Sequence, residues 1–174
     1  LDTLSSQEDV AGITLVSTHA HSYQKQSNNA SIALVTSPGY AWQSSRLRTY
    51  MNNKVYNGLP ESLRNVVKQV RKKCTTSETP TYQYVDDYCW PLSFGELGLS
   101  YIGTTAIDTE ITYPIFTDDT SRIFTKAYNS STKVNYYVRD AKGQSGSYLG
   151  AVSTKGQFGS YGGASYYTVL CFCI

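Results

Sequence analysis

The sequence predicts a single α+β domain in which two helices, near residues 45–56 and 60–71, pack beside a twisted, mostly antiparallel sheet. Three observations lead there. Apolar residues recur at helical spacing in two places: Leu47, Met51 and Val55 lie four apart, and Leu63, Val66, Val67 and Val70 fall at i, i+3, i+4 and i+7. Short β-prone runs occupy much of the remainder. A chain of 174 residues and 19.3 kDa suits one domain, a size that buries roughly 70% of its unfolded surface.

In chain order, 13–18 (ITLVST) and 31–36 (SIALVT) read as strands, separated by a polar loop holding His19 and His21. Neither histidine has a carboxylate near it in sequence, so the pair reads as a polar strand end. Ser37-Pro38-Gly39 marks a turn. Ser44 or Ser45 supplies the N-cap oxygen of the first helix, and Gly58 stops it. Pro60 and Glu61 suit the start of the second, where a missing N–H costs little and a negative charge meets the positive end of the dipole. Arg46 and Arg48 read as surface ion-pair partners, and Lys68–Lys73 (KQVRKK) as a solvated strand or helix end.

Thr75 to Tyr84 reads as a polar loop, and apolar character resumes over Val85–Leu92. Asp86 and Asp87 are adjacent, so a strand would send them to opposite faces rather than make a catalytic pair. Ser93-Phe94-Gly95-Glu96 fits a capping box opening a short helix, which makes Glu96 a cap partner rather than a catalytic acid. Asp118 to Arg122 (DDTSR) lacks the spaced ligands of a calcium loop and reads as a turn with Asp side chains bonded to backbone. Strands then run Val134–Arg139, Tyr148–Ser153 and Tyr166–Cys173, with turns at Lys142-Gly143 and Lys155-Gly156.

Net charge is +2 with 16% charged residues, a balance unlike that of proteins that grip a phosphate backbone. No apolar run is long enough for a membrane span. The first ten residues lack the basic and apolar regions of a signal peptide, and the start at Leu1 reads as a processed end or part of a longer chain. The cysteines, Cys74, Cys89, Cys171 and Cys173, form no zinc pattern. Cys171 and Cys173 share one strand face and read as buried small residues; a Cys74–Cys89 bridge is chemically feasible, but thiols are the default. No cofactor and no metal site is implied.

The most informative stretch is Tyr128–Ile174, with seven of the sixteen tyrosines and seven of the thirteen glycines. Tyrosine offers large amphipathic contact area at low entropy cost, and Ser, Gly and Asn adapt around it. The expected ligand-binding residues are Tyr128, Asn129, Asn135, Tyr136, Arg139, Tyr148, Phe158, Tyr161 and Tyr166. Strand alternation buries about every second ring, and Arg139 has the alternative of holding a structural carboxylate. Tyr136 and Tyr161 are the positions whose loss is expected to lower binding while the fold survives.

Five segments, in order, resemble a family of uncharacterised bacterial and prophage surface domains. Ser44–Asn52 (SSRLRTYMN) is similar to S-x-LR-x-WLN, and Val85–Gly98 (VDDYCWPLSFGELG) to TDKVFLLS-x-x-EVG. Tyr113–Arg122 (YPIFTDDTSR) resembles YP-x-F-x-D-x-x-SR, Tyr136–Ala141 resembles WWLRSP, and Tyr167–Ile174 loosely follows a closing GVRPAL-x-I strand. The resemblance spans about residues 43–174 and departs from the pattern where Tyr replaces Trp and where Arg-Pro is missing. It implies a C-type-lectin-like architecture, of the kind found in phage structural and receptor-binding proteins, in sugar-binding lectins and in formylglycine-generating enzymes.

Three functions follow from this. The first is a non-catalytic recognition domain on a virion, secreted or at a cell surface, binding a bacterial surface glycan or protein by ring stacking. The second is a structural subunit of a capsid, tail or fibre, contacting its own copies or other subunits. The third, an oxidase of the formylglycine-generating type, is disfavoured because Cys171 and Cys173 sit in an apolar strand without basic neighbours to lower their pKa.

Overall fold

The computed structural model describes residues 3–4, 12–22, 41–75, 82–99, 112–142, 148–159 and 167–174. The expected strand 31–36, the turn at 37–39 and the end of the Lys142-Gly143 turn lie outside them. The fold is mostly β, built from several small sheets and one substantial helical run. This corrects the expected α+β, C-type-lectin-like arrangement of two helices on one sheet.

Helical turns occupy Ala41 to Gly58, broken only at extended Ser45 and unbroken from Arg46 onward. A 3₁₀ turn (Ala41–Ser44) leads into α1 (Arg46–Tyr50), a π-helical stretch (Met51–Val55) and a closing turn, α2 (Tyr56–Gly58). Ser45 is the N-cap, its Oγ accepting from the Arg48 N–H at 3.0 Å. Trp42, Leu47 and Met51 are fully buried. The second expected helix is a single turn, α3 (Glu61–Arg64), with Pro60 at its N-cap. Its apolar repeat does not continue as helix. Val66 is half exposed, Lys68 bridges Cys173, and Val70 opens a strand. β-Branched valines favour extended backbone, and pairing with a neighbouring strand overrides the helical spacing.

That strand, β4 (Val70–Thr75), pairs antiparallel with β5 (Tyr82–Asp87) and, on its other edge, with β1 (Thr3–Leu4). The strand β5 therefore begins within the stretch expected to be loop. A second sheet has the order β10 (Phe158–Gly159), β9 (Tyr148–Val152), β8 (Tyr136–Lys142), β11 (Tyr167–Thr168), β3 (His21–Ser22). β2 (Thr14–Val16) pairs with β12 (Cys171–Cys173), and β6 (Thr125–Lys126) with β7 (Asn129–Lys133). The predicted Tyr166–Cys173 strand thus divides between two sheets. As alternation predicts, Cys171 and Cys173 are buried and Phe172 is not.

The two larger sheets are joined by hydrogen bonds between β8 and β4. Arg139 Nε donates to the Lys73 carbonyl at 2.8 Å, and Thr75 Oγ1 accepts from the Ala141 N–H at 2.9 Å. The 3₁₀ turn carrying Trp42 packs against β4, β8 and β9, and closes one core with Trp90, Leu92, Leu97, Val138 and Leu149. No helix among the described residues is long and apolar enough to cross a membrane.

Candidate functional site: an exposed hairpin face and the buried charges behind it

Two clusters of ionisable groups among the described residues lie inside. Ser93 and Glu96 form the expected capping box: Glu96 N–H donates to Ser93 Oγ at 3.0 Å, and Ser93 N–H to Glu96 Oε2 at 2.9 Å. The box caps one turn only. Gly98, at φ +65°, ends it, with Leu99 N–H reaching the Phe94 carbonyl and Gly98 N–H the Gly95 carbonyl. Glu96 does more than cap. Lys72 Nζ lies 2.6 Å from Oε1, the Tyr113 hydroxyl donates to Oε1 at 2.8 Å, and Arg139 Nη1 meets Oε2 at 2.5 Å. Lys72, Glu96 and Arg139 are all but inaccessible to water. Burial would raise the carboxyl's pKa, but the Arg139 guanidinium and Lys72 ammonium outweigh it and hold Glu96 well below the usual range. Lys72 also lies over the Trp90 ring at 4.8 Å. The expectation that this basic run is solvated fails at Lys72, because strand alternation turns it inward with Val70 and Cys74.

A second knot surrounds Asp87. Its carboxylate accepts from Trp42 Nε1 at 2.6 Å, Arg48 Nε at 2.8 Å and Asn52 Nδ2 at 3.0 Å. Asn52 Oδ1 in turn accepts from the Tyr88 and Cys89 N–H groups. Burial raises the Asp87 pKa against the opposing charge of Arg48 and the bonds from Trp42 and Arg48. Asp86 points to the opposite face, where it pairs with exposed Arg71 at 3.1 Å. The four cysteines are free and buried, and burial beside Asp87 pushes the Cys89 thiol up to about 12.

The outward chemistry lies on the β6–β7 hairpin. Lys126 and Asn129 are cross-strand partners, so Ala127 and Tyr128 form a two-residue tip. Tyr128 is 96% exposed. The hairpin base is fixed by core residues Phe124 and Val134, the ring of Phe124 meeting Tyr136 edge-on at 5.1 Å. Its β6 side is tied to Ala20, which donates to the Thr125 carbonyl and accepts from the Ala127 N–H. Asn129, Ser131 and Lys133 alternate onto one exposed face, and Asn129 Oδ1 accepts from Ser131 Oγ at 2.7 Å. Lys126 Nζ lies 5.6 Å from the Tyr167 ring centre on β11, and Tyr167 is in register with exposed Ser22 of β3. Hairpin, β3 and β11 therefore contribute one tyrosine-, lysine- and amide-bearing surface.

A family model described as Domain of unknown function (DUF6273) matches residues 11–170. The chain belongs to the DUF6273 family. No curated protein and no solved structure matches it. Membership places this chain among uncharacterised domains, and the family description names no ligand, activity or host.

Within this DUF6273 domain the expected binding residues that are described do not form one site. Tyr128 and Asn129 sit together on the hairpin. Asn135 is exposed, with its Oδ1 accepting from the Thr154 N–H at 2.9 Å, so it secures the turn after β9. Tyr136 and Arg139 are corrections: both are fully buried. The Tyr136 hydroxyl donates to the Arg122 carbonyl at 2.9 Å, and burial raises its pKa. Arg139 takes the structural alternative, holding Glu96. Phe158 is partly buried against Phe94, with ring centres 5.1 Å apart. Tyr148 opens β9, on the strand beside β8. Tyr161 and Tyr166 lie outside the described residues. Sequence reasoning missed Lys126 and Tyr167. The available signal was a run from Ile123 to Val138 with lysines and no carboxylate.

Proposed function

We propose that this DUF6273 chain is a non-catalytic recognition domain, displayed on a virion or cell surface or secreted, that binds a bacterial surface glycan or protein. The observation carrying this reading is Tyr128: a large ring held fully in solvent at the tip of an anchored hairpin, beside Asn129, Ser130 and Ser131, all exposed. Rings flanked by small polar residues are the makeup of recognition surfaces. The inward groups support it too, since Lys72 and Arg139 engage Glu96, Trp42, Arg48 and Asn52 engage Asp87, and both sets hold the fold together. Tyr128→Ala should weaken binding to an array of bacterial cell-wall glycans and surface proteins by about tenfold or more, the scale of one lost anchor side chain, with thermal stability unchanged. Full binding by this variant would remove the hairpin as the site.

A second reading, a structural subunit packing against its own copies, has one observation of its own. Ile13 and Leu15 are exposed beside and within β2, and Leu15 faces Phe172 across the strand pair. A concentration-dependent oligomer by sedimentation, dissociated by Leu15→Lys, would favour it; a monomer at all concentrations would discard it.

A further inference from the structure

The hairpin face has a charge as well as a shape. Lys126 and Lys133 stand at its two ends, with Asn129 and Ser131 between them on the β7 strand. The three segments that build the surface, residues 17–22, 123–135 and 167–170, contain no Asp or Glu. The carboxylates that flank the hairpin in sequence are Asp118, Asp119 and Asp140. Asp119 is bound by Arg122 at 2.9 Å and Gln157 at 2.6 Å, Asp118 by Ser121, and Asp140 is buried against the Phe94 N–H. The described segments of this face therefore carry lysines and no carboxylate, on a chain whose overall charge is close to balance.

From this we infer that the ligand of the hairpin is an acidic saccharide, one carrying carboxylate or phosphodiester groups. The inference deepens the recognition reading and rests on it. The Tyr128 ring stacks on an apolar sugar face. Asn129 and Ser131 supply a donor and acceptor row for hydroxyls. Lys126 and Lys133 meet negative groups on either side of that row. Lys126 is the better ordered of the two, since the Tyr167 ring restrains its ammonium. An acidic protein segment would meet the same lysines; the exposed Tyr128 ring beside a row of amide and hydroxyl groups favours a saccharide.

The test uses the full chain and three polymers: polygalacturonate as the carboxylate source, poly(glycerol phosphate) as the phosphodiester source, and dextran as the neutral control. One or both acidic polymers should bind at least about tenfold more tightly than dextran, and which of the two binds identifies the anion. Binding should weaken as salt rises, because exposed charges are screened. Lys126→Gln should lose more than Lys133→Gln, and the double variant should bind acidic polymer no better than dextran. Lys54→Gln, an exposed lysine on the helical run, should change nothing. Dextran bound as tightly as the acidic polymers, or binding that Tyr128→Ala abolishes while the lysine variants keep it, would overturn the acidic ligand and leave recognition standing. Equal loss in Lys54→Gln would reduce the effect to overall charge and overturn the site. If neither these polymers nor the cell-wall array is bound, the recognition reading falls with it.

Discussion

At the scale of single residues, Glu96 is the most consequential side chain. Its oxygens satisfy two cations, a phenol and a backbone N–H in a place without water. Removing the charge strands Lys72 and Arg139, and breaking a buried pair in this way costs about 3–5 kcal/mol, far more than a surface pair. Glu96→Gln should therefore lower unfolding free energy in urea by that order, whereas Asp86→Asn, which loses only the exposed Arg71 pair, should shift it by about 0.5 kcal/mol or less. Part of this was legible beforehand. The Ser93-x-x-Glu96 spacing announces the capping box, but nothing local announces that Lys72, far upstream, and Arg139, far downstream, converge on the same carboxylate. The thiols offer a second check. All four are buried, which keeps them from reagent, and Cys89 is pushed up to about 12, so it holds little thiolate near neutral pH. Iodoacetamide at pH 8 should leave the native chain unmodified and label all four cysteines once denaturant is added; rapid native labelling would contradict this packing.

At the scale of elements, short turns decide geometry that periodicity alone does not. Lys155-Gly156 was readable as a turn from its residue types, and the turn forms, with Ser153 N–H bonded to the Gln157 carbonyl and Gly156 N–H to the Ser153 carbonyl. Less readable is what it packs on. Gly156 has φ +75°, and a Cβ there would collide with the Asp119 carbonyl. Gly156→Ala should lose about 1–3 kcal/mol, through left-handed strain together with the clash. The neighbouring Lys155→Ala, on the exposed side of the turn, should be nearly silent in the same thermal melt. The helix over 60–71 shows the opposite outcome. Leu63, Val66, Val67 and Val70 keep helical spacing, yet β4 claims Val70 onward because its inward residues Val70, Lys72 and Cys74 complete the core and its edges pair with β1 and β5. A four-residue apolar repeat rich in valine is compatible with both structures, and only the partner strands, distant in sequence, distinguish them.

At the scale of the whole molecule, the segments that carry the sequence resemblance turn out to form a buried polar frame. Arg48 and Asn52 hold Asp87; Ser93, Tyr113, Arg139 and Lys72 hold Glu96; and Arg122 Nε donates to the Leu97 carbonyl at 2.6 Å. Sequence shows the spacing of such residues but not their depth, which is why Tyr136 and Arg139 read as surface candidates. The frame makes a prediction about acid. Glu96 has a folded-state pKa below its ordinary value of 4.5, so the unfolded chain takes up its proton first as pH falls. Its contribution is complete above about pH 4.5 and is lost as pH falls toward the folded value. Asp87, with its pKa raised from 3.8 by burial, works in the opposite sense: the folded state holds its proton more tightly, and this offsets part of the loss. Denaturation midpoints measured from pH 7 to pH 3 should therefore show a gap between the native chain and Glu96→Gln that is constant above about pH 5 and narrows below 4.5. The gap between the native chain and Asp87→Asn should instead widen on acidification. A Glu96 gap that grew as pH fell would mean that the carboxyl is protonated in the folded chain, and that Lys72 and Arg139 are held by something else.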